Sequence, residues 1–67
     1  MIQEKVGQRI RELRRQLGIS QEELASRANL DRTYITSVER GKRNISVVNL
    51  EKLANALGVS LKTFFDF

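Results

Sequence analysis

Between Ser20 and Gly41 the chain reads SQEELASRANLDRTYITSVERG, and two helix starts fall inside it only eleven residues apart. Ser20 can accept from the free amides of a following turn while Glu23, three residues on, reaches back, the reciprocal capping-box arrangement. Asp31 repeats the signal, because its carboxylate accepts backbone hydrogen bonds and suits the positive end of a helix. Asn29, which tolerates positive φ better than most residues, lies between them. The first helix of the pair is held to about two turns. Any fold for this chain must therefore find a use for two short helices joined by a tight turn.

The flanks are simpler. Ile2, Val6, Ile10, Leu13 and Leu17 recur at the period of one helical face and predict a helix over about residues 2–17. Gly18 follows, where a left-handed C-terminal cap favours glycine. The second helix turns Leu24, Ala25 and Ala28 inward, and Gly41 closes the third. Ser46 caps a fourth helix carrying Val47, Leu50, Leu53, Ala54 and Leu57, which stops at Gly58, and a short fifth after Ser60 carries Leu61, Phe64 and Phe65. No segment alternates as a strand would. The expected fold is all-α, a compact bundle of about five short helices in one domain spanning residues 1–67.

A chain of 67 residues sits near the size where one core becomes marginal, and neither Cys nor His is present to supply cross-links or metals. Disulfides, thiolate catalysis and the usual zinc, haem and iron-sulfur sites lack their ligands, so no metal and no cofactor are expected. The carboxylates serve mainly as caps or ion-pair partners, with no nucleophile-base constellation and no Gly-rich phosphate loop, which disfavours an enzyme. No apolar run approaches the roughly 18 residues of a membrane span, and the charged start MIQEKVGQRI is unlike a signal peptide. A cytoplasmic protein is expected. Twelve Lys and Arg against eight Asp and Glu leave a net charge of +4, which favours anionic partners without choosing between nucleic acid and lipid.

The third helix makes that choice. At about 100° per residue, Tyr34, Ile35 and Val38 share one side with Glu39 at its margin. Arg32, Thr33, Thr36, Ser37 and Arg40 fall on the other. This outer group is short, hydrogen-bonding and basic, with no acid among it, whereas a solvated face usually mixes both signs. Such a surface suits base edges and the phosphates around them. Two short helices at a fixed angle let one brace the DNA backbone while the next enters the major groove, with Ala25 and Ala28 allowing a close crossing. The pair reads as a helix-turn-helix over about residues 21–40.

The run from Gln21 to Arg40 resembles the Cro and phage-repressor type of helix-turn-helix, with apolar positions at Leu24, Ala28, Leu30, Ile35 and Val38 and a small residue at Ala25. The blocks LGISQEELA, YITSVERGKRNIS and LEKLANALGVSLKTFF extend the resemblance over nearly the whole chain, which implies a lambda-repressor-like bundle. Asn29 stands where such turns often have Gly. More narrowly, RTYITSVERGKRNIS resembles the small controller proteins of bacterial restriction-modification systems, although stand-alone repressors and phage regulators share much of that pattern.

The resemblance implies that Arg32, Thr33, Thr36 and Ser37 read bases. Arg32 can donate its planar fork to O6 and N7 of a guanine, or contact phosphate instead. Gln21 corresponds to a phosphate-contacting glutamine, and Arg40, Lys42, Arg43 and Asn44 to a second phosphate clamp beyond the third helix. A partly buried ion pair between Arg14 and Glu39 is implied as well. Tyr34 either packs partly into the core or offers its hydroxyl to phosphate. Phe64, Phe65 and Phe67 exceed what so small a core absorbs, which predicts a homodimer through the fifth helix and C-terminus, including Val59, Leu61, Phe65 and Phe67.

The function expected is a sequence-specific transcriptional regulator that binds a near-palindromic operator in double-stranded DNA as a homodimer. A position beside RNA polymerase would activate and overlap with its site would repress. A bacterial or phage, nucleoid-associated location follows. The competing class is an antitoxin-like or adaptor module that holds a protein partner through Phe64 to Phe67. A membrane-surface role for the basic first helix conflicts with the use of its apolar stripe in the core.

Overall fold

In the computed structural model, which describes all 67 residues, four of the five helices start at a side chain that caps them and three end at a left-handed residue. The order is α1 (Ile2–Leu17), α2 (Gln21–Ala28), α3 (Arg32–Glu39), α4 (Val47–Leu57) and α5 (Leu61–Phe64), with no strand. Ser20 Oγ accepts from the Glu23 amide at 3.0 Å, Asp31 Oδ1 from the Thr33 amide at 2.8 Å, and Ser46 Oγ from the Asn49 amide at 3.1 Å. Ser60 Oγ does the same for Thr63 at 3.0 Å. Each satisfies an amide the helix itself leaves free. Glu23 departs from expectation, since its carboxylate accepts from Arg27 Nε one turn on, at 2.9 Å, and the capping box is only half made.

The turn between α2 and α3 keeps its form without glycine. Asn29 takes φ 56°, ψ 46°, and the Leu30 amide donates to Ala25 O at 2.9 Å. A left-handed residue there reverses the chain at small cost because Asn, after Gly, is among the residues that visit this region most readily.

Inside, Ile10, Leu24, Ile35, Val38, Leu53 and Phe64 are all but sealed from solvent and join α1 to α5 around one core. Phe64 is the one residue of α5 that is buried in this core, and burying a ring of that size contributes on the order of 2 kcal/mol or more. At Gly7 the α1 backbone runs so close to the end of α3 that a Cβ would stand 2.3 Å from Val38 O. Glycine is needed at that crossing for its missing side chain.

Three apolar residues do not lie where periodicity puts them. Ile2 and Leu17 are 60% and 48% exposed because α1 extends past the core at both ends. Val47, expected on the inner face of α4, is 77% exposed in the first turn, beyond the reach of the core that Leu50 and Leu53 enter.

Candidate nucleic-acid interface

The two short helices are locked by a chain of polar contacts that begins on α1. Arg14 presents a fork to Glu39, with Nε 2.7 Å from Oε2 and Nη2 3.0 Å from Oε1, and its Nη1 donates to Ile19 O at 3.0 Å. Glu39 is 3% exposed and stands at the end of α3. Gln21, the first residue of α2, donates its Nε2 to Glu39 Oε1 at 3.1 Å and accepts from the Thr36 hydroxyl at 3.0 Å. One buried carboxylate thus ties α1, α2 and α3 together. Burial pushes the Glu39 carboxyl up, but Arg14, Gln21 and Arg11 outweigh it and hold it below the ordinary glutamate range. The Arg14 guanidinium is raised in turn, first through its hydrogen bonds to Glu39.

The predicted base-reading residues occupy one side of α3, in two conditions. Arg32 and Thr33 are exposed and Thr36 and Ser37 half-buried. The Arg32 guanidinium donates to no group of the chain, so its five donors remain available. Both threonine hydroxyls are already engaged. Thr33 Oγ1 donates to Asp31 Oδ1 at 2.7 Å, and Thr36 Oγ1 is shared between Gln21 Oε1 and Arg32 O at 3.0 and 3.1 Å. What these two can offer a base edge without breaking a bond is a methyl group or an oxygen lone pair.

The predicted phosphate contacts are likewise partly held. Arg40 and Lys42 are exposed. The Arg43 guanidinium lies 5.0 Å from the centre of the Tyr34 ring, and Asn44 Oδ1 accepts from Gln3 Nε2 at 2.7 Å, anchoring the loop to α1. Tyr34 is half-buried against the core, with its hydroxyl accepting from Asn49 Nδ2 at 3.1 Å. Of the two roles open to it, packing is therefore made within the chain.

At the opposite end, Leu61, Phe65 and Phe67 are 37%, 44% and 57% exposed, while Val59 is half-buried against the core. Phe65 stands edge-on to Phe64 at 5.2 Å and faces Phe67 at 6.0 Å. Phe65, Phe67 and Ile2 form the apolar part of an open groove of about 560 Å³ that is edged by Lys5, Gln8, Arg9 and Glu12. Arg9 fixes this corner, donating to Phe64 O at 2.8 Å and Thr63 O at 2.7 Å. The sequence gives no local sign of that role, because the partners lie more than fifty residues away. Ile2 carried a signal, an apolar residue at the free end of a stripe, but periodicity assigns it inward.

Comparison with known proteins gives this geometry a family. The chain matches the helix-turn-helix family over residues 10–64. It is 46% identical over 61 residues to the control protein C.MunI of a Mycoplasma species, covering 90% of this chain and 82% of that protein. To the control protein C.BamHI of Bacillus amyloliquefaciens it is 48% identical over 62 residues, covering 91% and 76%. Among solved structures, the restriction-modification controller protein C.AhdI of Aeromonas hydrophila superposes with a TM-score of 0.91 at 52% identity, covering 94% of this chain and 96% of that one. The controller C.Esp1396I, crystallised as a tetramer with its natural 35 base-pair operator, superposes with a TM-score of 0.93 at 41% identity, covering 98% and 87%. The fold is shared with that group over nearly the whole chain, and the chain belongs to the helix-turn-helix family that includes the restriction-modification controller proteins.

Proposed function

We propose that this protein is a sequence-specific transcriptional regulator that binds a near-palindromic DNA operator as a homodimer, in the manner of a restriction-modification controller. The observation that carries this is the exposed side of α3. It presents a free Arg32 fork beside Thr33, Thr36 and Ser37, on a helix whose angle to α2 is set by the Arg14, Glu39 and Gln21 network. One relative that shares the fold at 41% identity, C.Esp1396I, is bound to operator DNA in two solved structures.

In this reading Arg32 donates to a guanine, and Thr33 and Thr36, with their hydroxyls engaged, meet thymine methyls. Arg40, Lys42, Arg43 and Asn44 hold phosphates beyond α3. Gln21 serves the α2–α3 angle with one amide hydrogen and keeps the other for a phosphate. The single domain pairs with a second copy through Val59, Leu61, Phe65 and Phe67, which places two α3 helices about 34 Å apart, one turn of duplex. Regulation follows from occupancy, by contact with RNA polymerase or by exclusion of it, and the protein resides with the nucleoid. It carries no enzymatic activity.

The test is selection of binding sites from random duplex DNA at about 150 mM salt, where non-specific attachment is weakened. A two-fold site, whose preference relaxes at one position per half-site in Arg32→Ala, is the expected result. A folded, dimeric protein that enriches no site would overturn the proposal and favour a protein-interaction role for the C-terminal rings.

A further inference from the structure

Between α1 and the end of α3 lies a cleft of about 340 Å³ with no apolar side chain in its lining. Glu4, Gln8 and Arg11 form its α1 wall, and Glu39, Arg40 and Lys42 the other. We propose that this cleft is a further phosphate clamp, in which Arg11 of α1 joins Arg40 and Lys42 to grip one backbone phosphate of the bound duplex.

The charge arithmetic favours an anion. The single charge of Glu39 is already met by the Arg14 fork at 2.7 and 3.0 Å and by the Gln21 amide at 3.1 Å. Arg11 is held much more loosely, with Nε 3.6 Å from Glu39 Oε1 and Nη2 3.4 Å from Glu39 O. Its side chain is 41% exposed, against 13% for Arg14. Arg14 is thus the structural partner, and Arg11 is a surplus cation facing solvent. Glu4, the remaining acid in the lining, is occupied by the N-terminal ammonium at 2.9 Å. Arg11 and Lys42 thus reach Glu39 and Glu4 only as second cations on carboxylates already paired, and Arg40 has no acidic partner, so the cleft holds cations in excess. Like charges gathered in one cleft are relieved by an anion, and a guanidinium fork matches two phosphate oxygens, with the Gln8 amide as a further donor.

The occupant follows from continuity. Arg40 and Lys42 line both this cleft and the surface proposed to lie against DNA, so the duplex backbone is the phosphate source nearest to hand. This inference rests on the DNA-binding reading above. It differs from that reading in placing α1 against the nucleic acid, where the sequence pattern puts only α2, α3 and the loop after it.

The experiment measures affinity for a duplex against salt concentration for the unaltered protein, Arg11→Gln and Arg11→Lys, together with melting temperature and sedimentation of each. Each phosphate neutralised contributes about 0.9 to the slope of log K against log salt. Arg11→Gln is expected to make that slope shallower by about 1 per subunit, about 2 per dimer, with equal loss on selected and scrambled duplexes and an unchanged melting temperature. Arg11→Lys should keep the slope. An unchanged slope in Arg11→Gln would overturn the proposal, whether the melting temperature falls, as for a cation serving only the end of α3, or the dimer weakens. Failure of the unaltered protein to bind any duplex would take down the functional reading and this inference together, whereas normal binding with an unmoved slope in Arg11→Gln would remove this inference alone.

Discussion

Removing Arg14 isolates what holds the two short helices at their angle. The Arg14→Ala protein keeps a carboxylate that is 3% exposed and loses the fork that neutralised it. Two unit charges about 4 Å apart interact by about 4 kcal/mol at an effective dielectric near 20. Part of that is recovered, because Arg11 already stands 3.6 Å from Glu39 Oε1 and Gln21 still donates at 3.1 Å. A cost of about 3 kcal/mol remains, within the range for breaking a buried pair from one side and well above that of an exposed one. For 67 residues the unfolding entropy is roughly 140 cal/mol/K, so the melting temperature should fall by about 20 °C.

The assay is thermal unfolding followed by circular dichroism at pH 7, on Arg14→Ala, Glu39→Gln and the double variant. Glu39→Gln should cost less, since the Arg14 side chain is 13% exposed, can turn to water and keeps its bond to Ile19 O. The double variant should cost well under the sum, because neither charge is then stranded. Additive losses, or an Arg14→Ala melting temperature within a few degrees of the parent, would refute the pair as the strut of the motif.

The same carboxyl predicts the response to acid. Its folded pKa is depressed below the ordinary 4.5, so its stabilisation is complete above about pH 4.5 and disappears as pH falls through the lower folded value. A Glu39→Gln protein should therefore lose less stability than the parent between about pH 4.5 and pH 2 in urea titrations. Gly7→Ala would push a methyl to 2.3 Å from Val38 O and should cost about 3 kcal/mol, whereas Gly18→Ala, at φ +70° with open space around it, should cost only about 1 kcal/mol. Equal melting temperatures for the two would mean that α1 and α3 can separate freely. Phe64→Ala should unfold much of the population, at about 3 kcal/mol or more, while Phe65→Ala should leave the monomer's melting temperature nearly unchanged and weaken self-association in sedimentation.

What the sequence disclosed is what neighbours within a few residues decide. Ser20, Asp31, Ser46 and Ser60 accept amides two or three positions on, and Gly18, Asn29 and Gly58 take positive φ where a helix must stop, so all five helices were legible to within a residue or two. Distance in the chain is where legibility ends. The Gln21 amide is bound to residues 15 and 18 positions away, and Arg9 to carbonyls 54 and 55 away. Periodicity has no term for such partners. It also overstates burial at helix ends, since Ile2, Leu17 and Val47 keep the phase of their stripes while lying past the edge of the core. The pairing of Arg14 with Glu39 was accessible only through family resemblance, because nothing local to either residue names the other.

In the proposed reading, that division of labour bears on how so small a surface discriminates between sequences. A hydroxyl free to rotate would donate to one base and accept from another, and would be a poor discriminator. Here Thr36 is committed to Gln21 and Arg32 O, and Thr33 to Asp31, before any duplex arrives. Each threonine then offers a base edge only a fixed methyl or an oxygen lone pair, and in the proposed reading the methyl distinguishes thymine from cytosine by contact. Arg32 keeps a planar fork that matches one base well and the others poorly, a difference of about 1–3 kcal/mol. The same network that commits Thr36 also ends on Glu39 and Arg14, so the orientation of the side of α3 proposed to read bases is set by a buried charge and not by the exposed residues themselves. A substitution at Glu39 should consequently degrade sequence preference as well as stability, whereas one at Lys42 should weaken binding alike on every sequence. The two effects separate the framework that holds α3 from the cations proposed only to attract the duplex.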